Sequence, residues 1–210
     1  GKYLSPNDLI ILPNGMIYFS DPRYIGNENK EQTNMAVYLY NPFNGSVIMT
    51  IDSDIIEKPN GLAVSPDSKT LYVAETNNGT TGGPNDIKNP KIGRMTLNSF
   101  PILSDGSLGN KKVLINFGDK TGIDGMTVDT MGNIYAAVRS ENRYGIVAYT
   151  PSGKELAYIP TESLPTNCCF GKGENSNMLY ITAGGGLYQI KMNVSGYHPA
   201  TAPIEKRKDT

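Results

Sequence analysis

Four side chains with oxygen donors recur at equivalent points of a repeated pattern. Asn7, Asn60, Asp124 and Asn167 stand in the segments SPND, KPNG, GIDG and LPTN, each just ahead of a β-hairpin pattern. Amide and carboxylate oxygens suit hard cations, so the set favours Ca²⁺ first, with Mg²⁺ or Mn²⁺ as alternatives. Zinc is disfavoured on these residues, because the chain has one histidine, His198, and its two cysteines are adjacent.

Asp124 is the only one of the four that can act as a base. Beside a cation its carboxylate would stay ionised, and it would orient a water molecule or take its proton. The expected reaction is metal-assisted hydrolysis, in which a cation polarises a carbonyl and lowers the pKa of water. A Ser-His-Asp triad is not expected, since His198 lies in the loop-like segment GYHPA.

The elements that must position these side chains are β-hairpins. Each motif precedes a turn rich in Pro, Asn, Asp, Gly or Ser and then an alternating strand: MIYFS, TLYVAE, NIYAAV and MLYITA. A second pair of apolar segments follows each time, which predicts units of four antiparallel strands. No stretch carries a sustained helical period, so the chain is predicted to be all-β.

The repeat spacing predicts a β-propeller. The four motif residues are separated by 53, 64 and 43 residues, close to the period of a propeller blade with loop insertions. The innermost strand of each blade lines a central channel, so equivalent positions form a ring. Asn7, Asn60 and Asp124 are therefore expected to meet at one mouth of that channel.

Three charged residues close the second strand of a hairpin, which returns beside the start of the first strand. Asp21, Glu75 and Arg139 are thus expected on the same rim, and Arg139 is a candidate to bind an anionic substrate. A solvated loop charge is the alternative for each. The segment 76–91 leaves the same rim and is predicted to be either a lid or an ordinary mobile insertion.

Composition excludes several classes of function. A net charge of −1 gives no electrostatic case for binding nucleic acid or acidic membranes. No apolar run reaches the ~18 residues of a membrane-spanning helix, so a soluble chain is expected, with its compartment left open. Cys168 and Cys169 are interpreted as neighbouring strand residues that point to opposite faces, not as a disulfide.

The motifs together resemble those of the regucalcin/gluconolactonase family of six-bladed propellers, which includes luciferin-regenerating enzyme. The segments that carry the resemblance are SPNDLIILPNGMIYFSDP, KPNGLAVSPDSKTLYVAET, GIDGMTVDTMGNIYAA and PTNCCFG with LYITAGGGLYQI, within residues 3–192. The resemblance implies one divalent cation, Ca²⁺ or Zn²⁺, at the channel mouth. It implies Asn60 and Asp124 as metal ligands, Asp124 as general base, and Asn7 as a residue that contacts substrate or water. Asn167 matches a position without a ligand role.

The chain departs from this pattern in its length. Six blades need roughly 240–300 residues, whereas the sequence has 210. We expect about four to four and a half blades over residues 1–197, followed by a polar tail over 198–210. No counterpart of the family's first-blade glutamate ligand is found. The expectation is a piece of a longer polypeptide whose N-terminal blades are separate or lie in a partner chain, inactive or nearly so alone. A closed five-bladed ring is the alternative.

Two classes of function remain open at this point. The first is a metal-dependent hydrolase of small sugar lactones or related esters. The second is a non-catalytic propeller that binds a small ligand or a partner through the same mouth, because propellers host many functions.

Overall fold

The fold consists of four antiparallel sheets in chain order. A computed structural model describes residues 2–26, 31–81, 90–118 and 120–199. The first sheet contains β1 (Leu9–Ile11), β2 (Ile17–Asp21), β3 (Ala36–Asn41) and β4 (Ser46–Ile51). The second contains β5 (Pro59–Val64), β6 (Thr70–Thr76), β7 (Met95–Pro101) and β8 (Lys112–Asn116).

The third and fourth sheets continue the same up-and-down order. The third contains β9 (Ile123–Val128), β10 (Ile134–Val138), β11 (Gly145–Tyr149) and β12 (Glu155–Pro160). The fourth contains β13 (Pro165–Phe170), β14 (Met178–Ala183) and β15 (Gly186–Lys191), with a 3₁₀ turn at Gly173–Asn175 between its first two strands. The prediction of an all-β chain built from four-stranded units is confirmed, with three strands described in the last unit.

The first hairpin of each of the first three sheets is closed by a side chain that accepts from the backbone two residues later. Asn14 accepts from the N–H of Met16 at 3.1 Å, Asp67 from that of Lys69 at 3.1 Å, and Asp129 from that of Met131 at 2.9 Å. Such turns are favoured by Asn and Asp because their short side chains reach the local backbone. These residues fix the turns from which the hairpins were predicted.

The hydrophobic core is divided into three layers, one between each pair of successive sheets. Tyr18, Leu39 and Phe100 lie in the layer between the first and second sheets. Leu97 and Ile134 lie between the second and third. The layer between the third and fourth sheets is formed by Tyr135, Ala137, Ile146, Ala148, Cys168, Phe170, Leu179 and Ile181. This face-to-face stacking places β1, β5, β9 and β13 side by side.

The four sheets do not close into a ring in the described part of the chain. After β15 the chain returns across the ends of the inner strands. The N–H of Thr130 donates to the carbonyl of Ser195 at 2.9 Å, and that of Tyr197 to the carbonyl of Val128 at 3.0 Å. Tyr197 packs against both of the first two core layers. The predicted tail over 198–210 lies outside the described residues from position 200 onward.

Candidate functional site

The site begins with a close approach between β5 and β9. A Cβ atom built on Gly61 would overlap the carbonyl oxygen of Asp124, so only glycine fits at this point. Gly125 likewise faces the side chain of Asn167 on β13 without room for a Cβ. The absence of side chains at these two glycines brings three inner strands together. Asn60 and Asp124, each the second residue of its strand, are thereby placed at the same end.

Asp124 is held by an arginine that directly follows the neighbouring strand, β10. The carbonyl of Gly122 accepts from the N–H of Arg139 at 2.9 Å, which places Arg139 just beyond β10 and over the start of β9. Arg139 Nη1 then donates to Asp124 Oδ2 at 2.8 Å. The two side chains are 30% and 19% exposed, respectively, so this ion pair is partly shielded from water.

Two buried polar atoms beside this ion pair lack hydrogen-bond partners. They are Asn60 Oδ1, an acceptor, and Arg139 Nε, a donor, and no other buried side-chain nitrogen or oxygen atom within the described ranges shares this state. Leaving such a group unpaired costs about 1–3 kcal/mol, so natural cores avoid it. Unpaired buried polar atoms of this kind are typical of a region where a bound ligand completes the hydrogen bonds.

A pocket of about 520 Å³ opens over these groups. Its volume lies within the range of about 300–1,000 Å³ typical of small-molecule sites. The lining is mostly polar and comes from the inner strands and from the loops at their rim: Asn7, Tyr24, Asn60, Thr76, Asn78, Thr121, Asp124, Arg139, Glu141, Tyr144 and Leu164.

A buried lysine holds the residues of one wall of the pocket in place. Lys58 Nζ donates to Asn78 Oδ1 at 2.9 Å and to the carbonyl of Thr80, and it lies 4.5 Å from the centroid of the Tyr24 ring. The Tyr24 hydroxyl donates to the carbonyl of Thr76 at 3.1 Å. Together these contacts join the loop after β2 to the loop after β6, so that Tyr24 and Asn78 face the pocket in fixed positions.

Burial affects the proton affinity of Asp124 in the pocket and of Asp8, which lies near it. It raises the pKa of Asp124, although the charge of Arg139 and hydrogen bonds from Arg139 and Asn60 oppose this effect. Burial also raises the pKa of Asp8, and the charge of Asp124 adds to the rise, while backbone N–H groups of Leu62 and Leu9 oppose it. Asp124 is therefore a stronger base than an exposed aspartate.

The structure brings four of the sequence-predicted residues to one pocket. Asn7, Asn60, Asp124 and Arg139 all line it, with Asn60 buried and Asn7 exposed at the mouth. Asn167 does not line it: its Oδ1 accepts from the N–H of Cys168 at 2.8 Å, and its side chain packs on Gly125. The geometry thus agrees with the predicted ring, while the roles of these residues stay predictions.

Two charged residues that were expected at the rim are buried, and their carboxylates accept hydrogen bonds from backbone N–H groups. Asp21 accepts from the N–H groups of Leu4 and Ser5 at 2.9 and 2.6 Å. Glu75 accepts from the N–H of Glu57 and from Arg94 Nε, each at 2.8 Å. Both carboxylates are fully buried and do not line the pocket. Their hydrogen bonds hold in place the segments that lead into the site.

The remaining reactive side chains lie away from the pocket. His198 Nε2 lies 3.0 Å from the carbonyl oxygen of Gly171, beyond the end of β13 opposite to the pocket residue Leu164. Both cysteines are free, with Cys168 buried and Cys169 exposed, as expected for neighbouring strand residues. Within the described ranges no group of three or more His, Cys, Asp or Glu side chains is arranged to hold a metal ion.

Sequence reasoning missed the pocket residues that follow the second strand of each hairpin. Tyr24, Asn78 and Glu141 come two or three residues after the ends of β2, β6 and β10. The argument that placed Arg139 at this rim would have found them, if it had been extended to the first two or three residues of the loop after each second strand. The predicted lid lies partly outside the described residues, at positions 82–89.

Comparison with known proteins identifies relatives over most of the chain. Residues 2–185 match the family model described as the SMP-30/Gluconolactonase/LRE-like region. A gluconolactonase of Zymomonas mobilis is 31% identical over 206 residues, which cover 93% of this chain and 52% of the relative.

Solved structures agree with this result. A gluconolactonase of Xanthomonas campestris superposes with a TM-score of 0.72 at 27% identity, covering 93% of this chain and 58% of the other. The Agrobacterium tumefaciens regucalcin, described as a calcium-binding protein, superposes with a TM-score of 0.69 at 20% identity, covering 93% and 64%. The last of these likenesses concerns the fold alone. The chain spans about half the length of the Zymomonas relative.

No helix in the described part of the chain is long and apolar enough to cross a membrane.

Proposed function

The chain belongs to the SMP-30/gluconolactonase/LRE-like family, and we propose that it serves the hydrolysis of small sugar lactones or related esters in the pocket over Asp124. The relatives named gluconolactonase support this chemistry. A non-catalytic ligand-binding propeller is not favoured by them. The observation that carries the proposal is the unpartnered Asn60 Oδ1 beside the carboxylate of Asp124.

The same two side chains fit a divalent cation. An amide oxygen without a hydrogen-bond partner and a carboxylate are both ligands that Ca²⁺ accepts. They supply a single negative charge, which Arg139 already contacts. Water and substrate oxygens would therefore complete the coordination, and we propose Ca²⁺ as the first choice, with Mg²⁺, Mn²⁺ or Zn²⁺ as alternatives.

When bound, the cation supplies a Lewis acid that polarises the carbonyl group of the lactone. The carboxylate of Asp124 accepts the proton of a water molecule whose oxygen forms a bond to the carbonyl carbon. The bond from that carbon to the ring oxygen breaks, the proton passes to the ring oxygen, and the product is a hydroxy acid. Burial raises the pKa of Asp124 in the absence of the cation. A bound cation would oppose this rise, so the carboxylate stays ionised and able to accept the proton.

The other pocket residues are suited to orient a polyhydroxylated ligand. Asn7, Asn78 and Thr121 present amide and hydroxyl groups, and Tyr24 presents a hydroxyl oxygen as an acceptor, since its proton is donated to the carbonyl of Thr76. Burial, together with the negative charge of Asp124, raises the pKa of Tyr24, so its hydroxyl stays protonated at neutral pH. Such neutral donors and acceptors match sugar hydroxyl groups, and we propose that Asn7 contacts the substrate at the pocket mouth.

The test is Asp124→Asn in the longest native polypeptide that contains these residues, assayed with calcium against a panel of aldonolactones. Loss of the base lowers kcat/KM by about 10²–10⁴-fold, the usual contribution of a general base. The control is Asp54→Asn, which changes an exposed aspartate outside the pocket. Hydrolysis by Asp124→Asn at the rate of the unmodified protein would falsify the role of Asp124. Absence of turnover in the unmodified protein would refute the proposed function itself.

A further inference from the structure

The Arg139–Asp124 ion pair occupies the carboxylate on which the proposed cation depends. Arg139 Nη1 lies 2.8 Å from Asp124 Oδ2, in a pair that is less than one-third exposed. A divalent cation on the same carboxylate would repel the guanidinium group, and partial burial weakens the screening of that repulsion. Cation binding at Asp124 is therefore favoured when Arg139 moves away or has its charge balanced by another group.

The chemistry of the two unpartnered atoms indicates that the balancing group is an anion. Asn60 Oδ1 is a buried acceptor that suits a cation, and Arg139 Nε is a buried donor that suits an anion. They flank Asp124 within one pocket. A cation together with an anion would satisfy both atoms at once, whereas either ion alone leaves one of them unpaired.

We propose that Arg139 is a binding residue for a small carboxylate, and that this anion and the divalent cation bind cooperatively. With the pocket empty, Arg139 is the counter-ion of Asp124. With a cation at Asp124, the guanidinium group is released and presents its Nε–H and Nη–H groups to a carboxylate, a geometry that arginine supplies in bidentate form. By thermodynamic linkage each ion strengthens the binding of the other by the same factor.

This inference rests on the proposed function and adds an asymmetry between substrate and product. A lactone is neutral, but its hydrolysis product is a hydroxy-carboxylate. Arg139 therefore recognises the product rather than the ground-state substrate, so the product and the cation hold each other in the pocket. The expected consequence is inhibition by product that deepens as the cation concentration rises.

The experiment measures calcium binding by titration calorimetry at constant ionic strength, with lactate or with its neutral analogue lactamide. Lactate raises the calcium affinity of the unmodified protein and lactamide does not. Arg139→Gln removes the competing charge, so it binds calcium about 5-fold or more tightly without lactate, the lower end of typical coupling factors. Lactate no longer affects this variant. Asp54→Asn, which removes an exposed carboxylate outside the pocket, keeps the lactate effect.

A second variant tests the same idea without a metal ion. Asp124→Asn frees Arg139 permanently, so it binds lactate in chelator more tightly than the unmodified protein does. Calcium affinity that is unchanged or weaker in Arg139→Gln overturns the proposal, and so does the absence of calcium binding in both proteins. Lactate-dependent calcium binding without lactone turnover upholds the proposal and removes the proposed enzymatic function instead.

Discussion

Asp8 is a partly buried carboxylate next to the pocket residue Asn7, and it joins the first sheet to the second. Its Oδ2 accepts from the N–H of Leu62 on β5 at 2.8 Å, and its Oδ1 from that of Leu9 at 2.9 Å. Burial raises its pKa above the ordinary value of 3.8 despite these bonds, and the charge of Asp124 adds to the rise. Asp8 thus positions β1 against β5, and the free energy needed to keep its carboxylate charged there depends on pH.

We expect Asp8→Asn to change how stability depends on pH. A raised pKa means that the folded state holds the proton more tightly than the unfolded chain. Its contribution to stability is therefore full below 3.8 and is lost as pH rises through the folded-state pKa. Asparagine lacks this titration, so the stability of the unmodified protein relative to the variant falls from acidic to neutral pH. Urea unfolding of both proteins across that range measures it, and parallel profiles contradict it.

The sequence predicted the site residues that sit at fixed positions of the repeat. Asn60, Asp124 and Asn7 are found because the motif register places them at equivalent strand starts, and Arg139 because a hairpin returns to its origin. It could not predict that Arg139 pairs with Asp124, nor that Lys58 supports Tyr24. These contacts depend on side-chain directions between different sheets, which a one-dimensional pattern does not contain.

At the scale of elements, the turn residues predicted the hairpins. They did not predict how deeply the charged residues near the strand ends are buried. Asp21 ends β2 and Glu75 is the last residue but one of β6, close to the predicted positions, yet both are fully buried and bound to backbone N–H groups. Alternation along a strand assigns a residue to one face of the sheet. It does not tell whether a neighbouring loop covers that face, and loops carry little periodic signal.

Gly61 sets the spacing between β5 and β9, and we expect Gly61→Ala to damage the site through the backbone. A methyl group there overlaps the carbonyl of Asp124 and forces the strands apart. Overpacking of this kind costs about 1–3 kcal/mol of unfolding free energy. The same shift separates Asn60 from Asp124, so calcium binding weakens as well. Denaturant unfolding and calorimetry measure the two effects.

The control for this variant is Gly185→Ala, at a position where an added Cβ meets nothing within 4 Å. It leaves both stability and calcium affinity near those of the unmodified protein. If Gly61→Ala behaves in the same way, the inner strands adapt to the methyl group and their spacing is not what positions Asp124.

At the scale of the whole molecule, the two ends of the inner strands have different tasks. Asn60 and Asp124 lie at the starts of β5 and β9, where the pocket opens. At the other ends the returning chain packs Tyr197 against two core layers and bonds it to Val128. The pocket and the packing of the returning chain therefore lie at opposite ends of the inner strands, although the sheets form an open arc in the described residues.

This separation predicts that Tyr197→Ala lowers stability without altering the site. Complete truncation of a buried aromatic side chain costs about 3–5 kcal/mol, and for the half-buried Tyr197 we expect about 2 kcal/mol. Calcium affinity stays within twofold, because no pocket residue touches this end. Tyr188→Ala, which truncates an exposed tyrosine on β15, is the matched control and changes stability little. A joint loss of stability and calcium binding in Tyr197→Ala would show that the packing between sheets, rather than the close approach of β5 and β9, sets the geometry of the pocket.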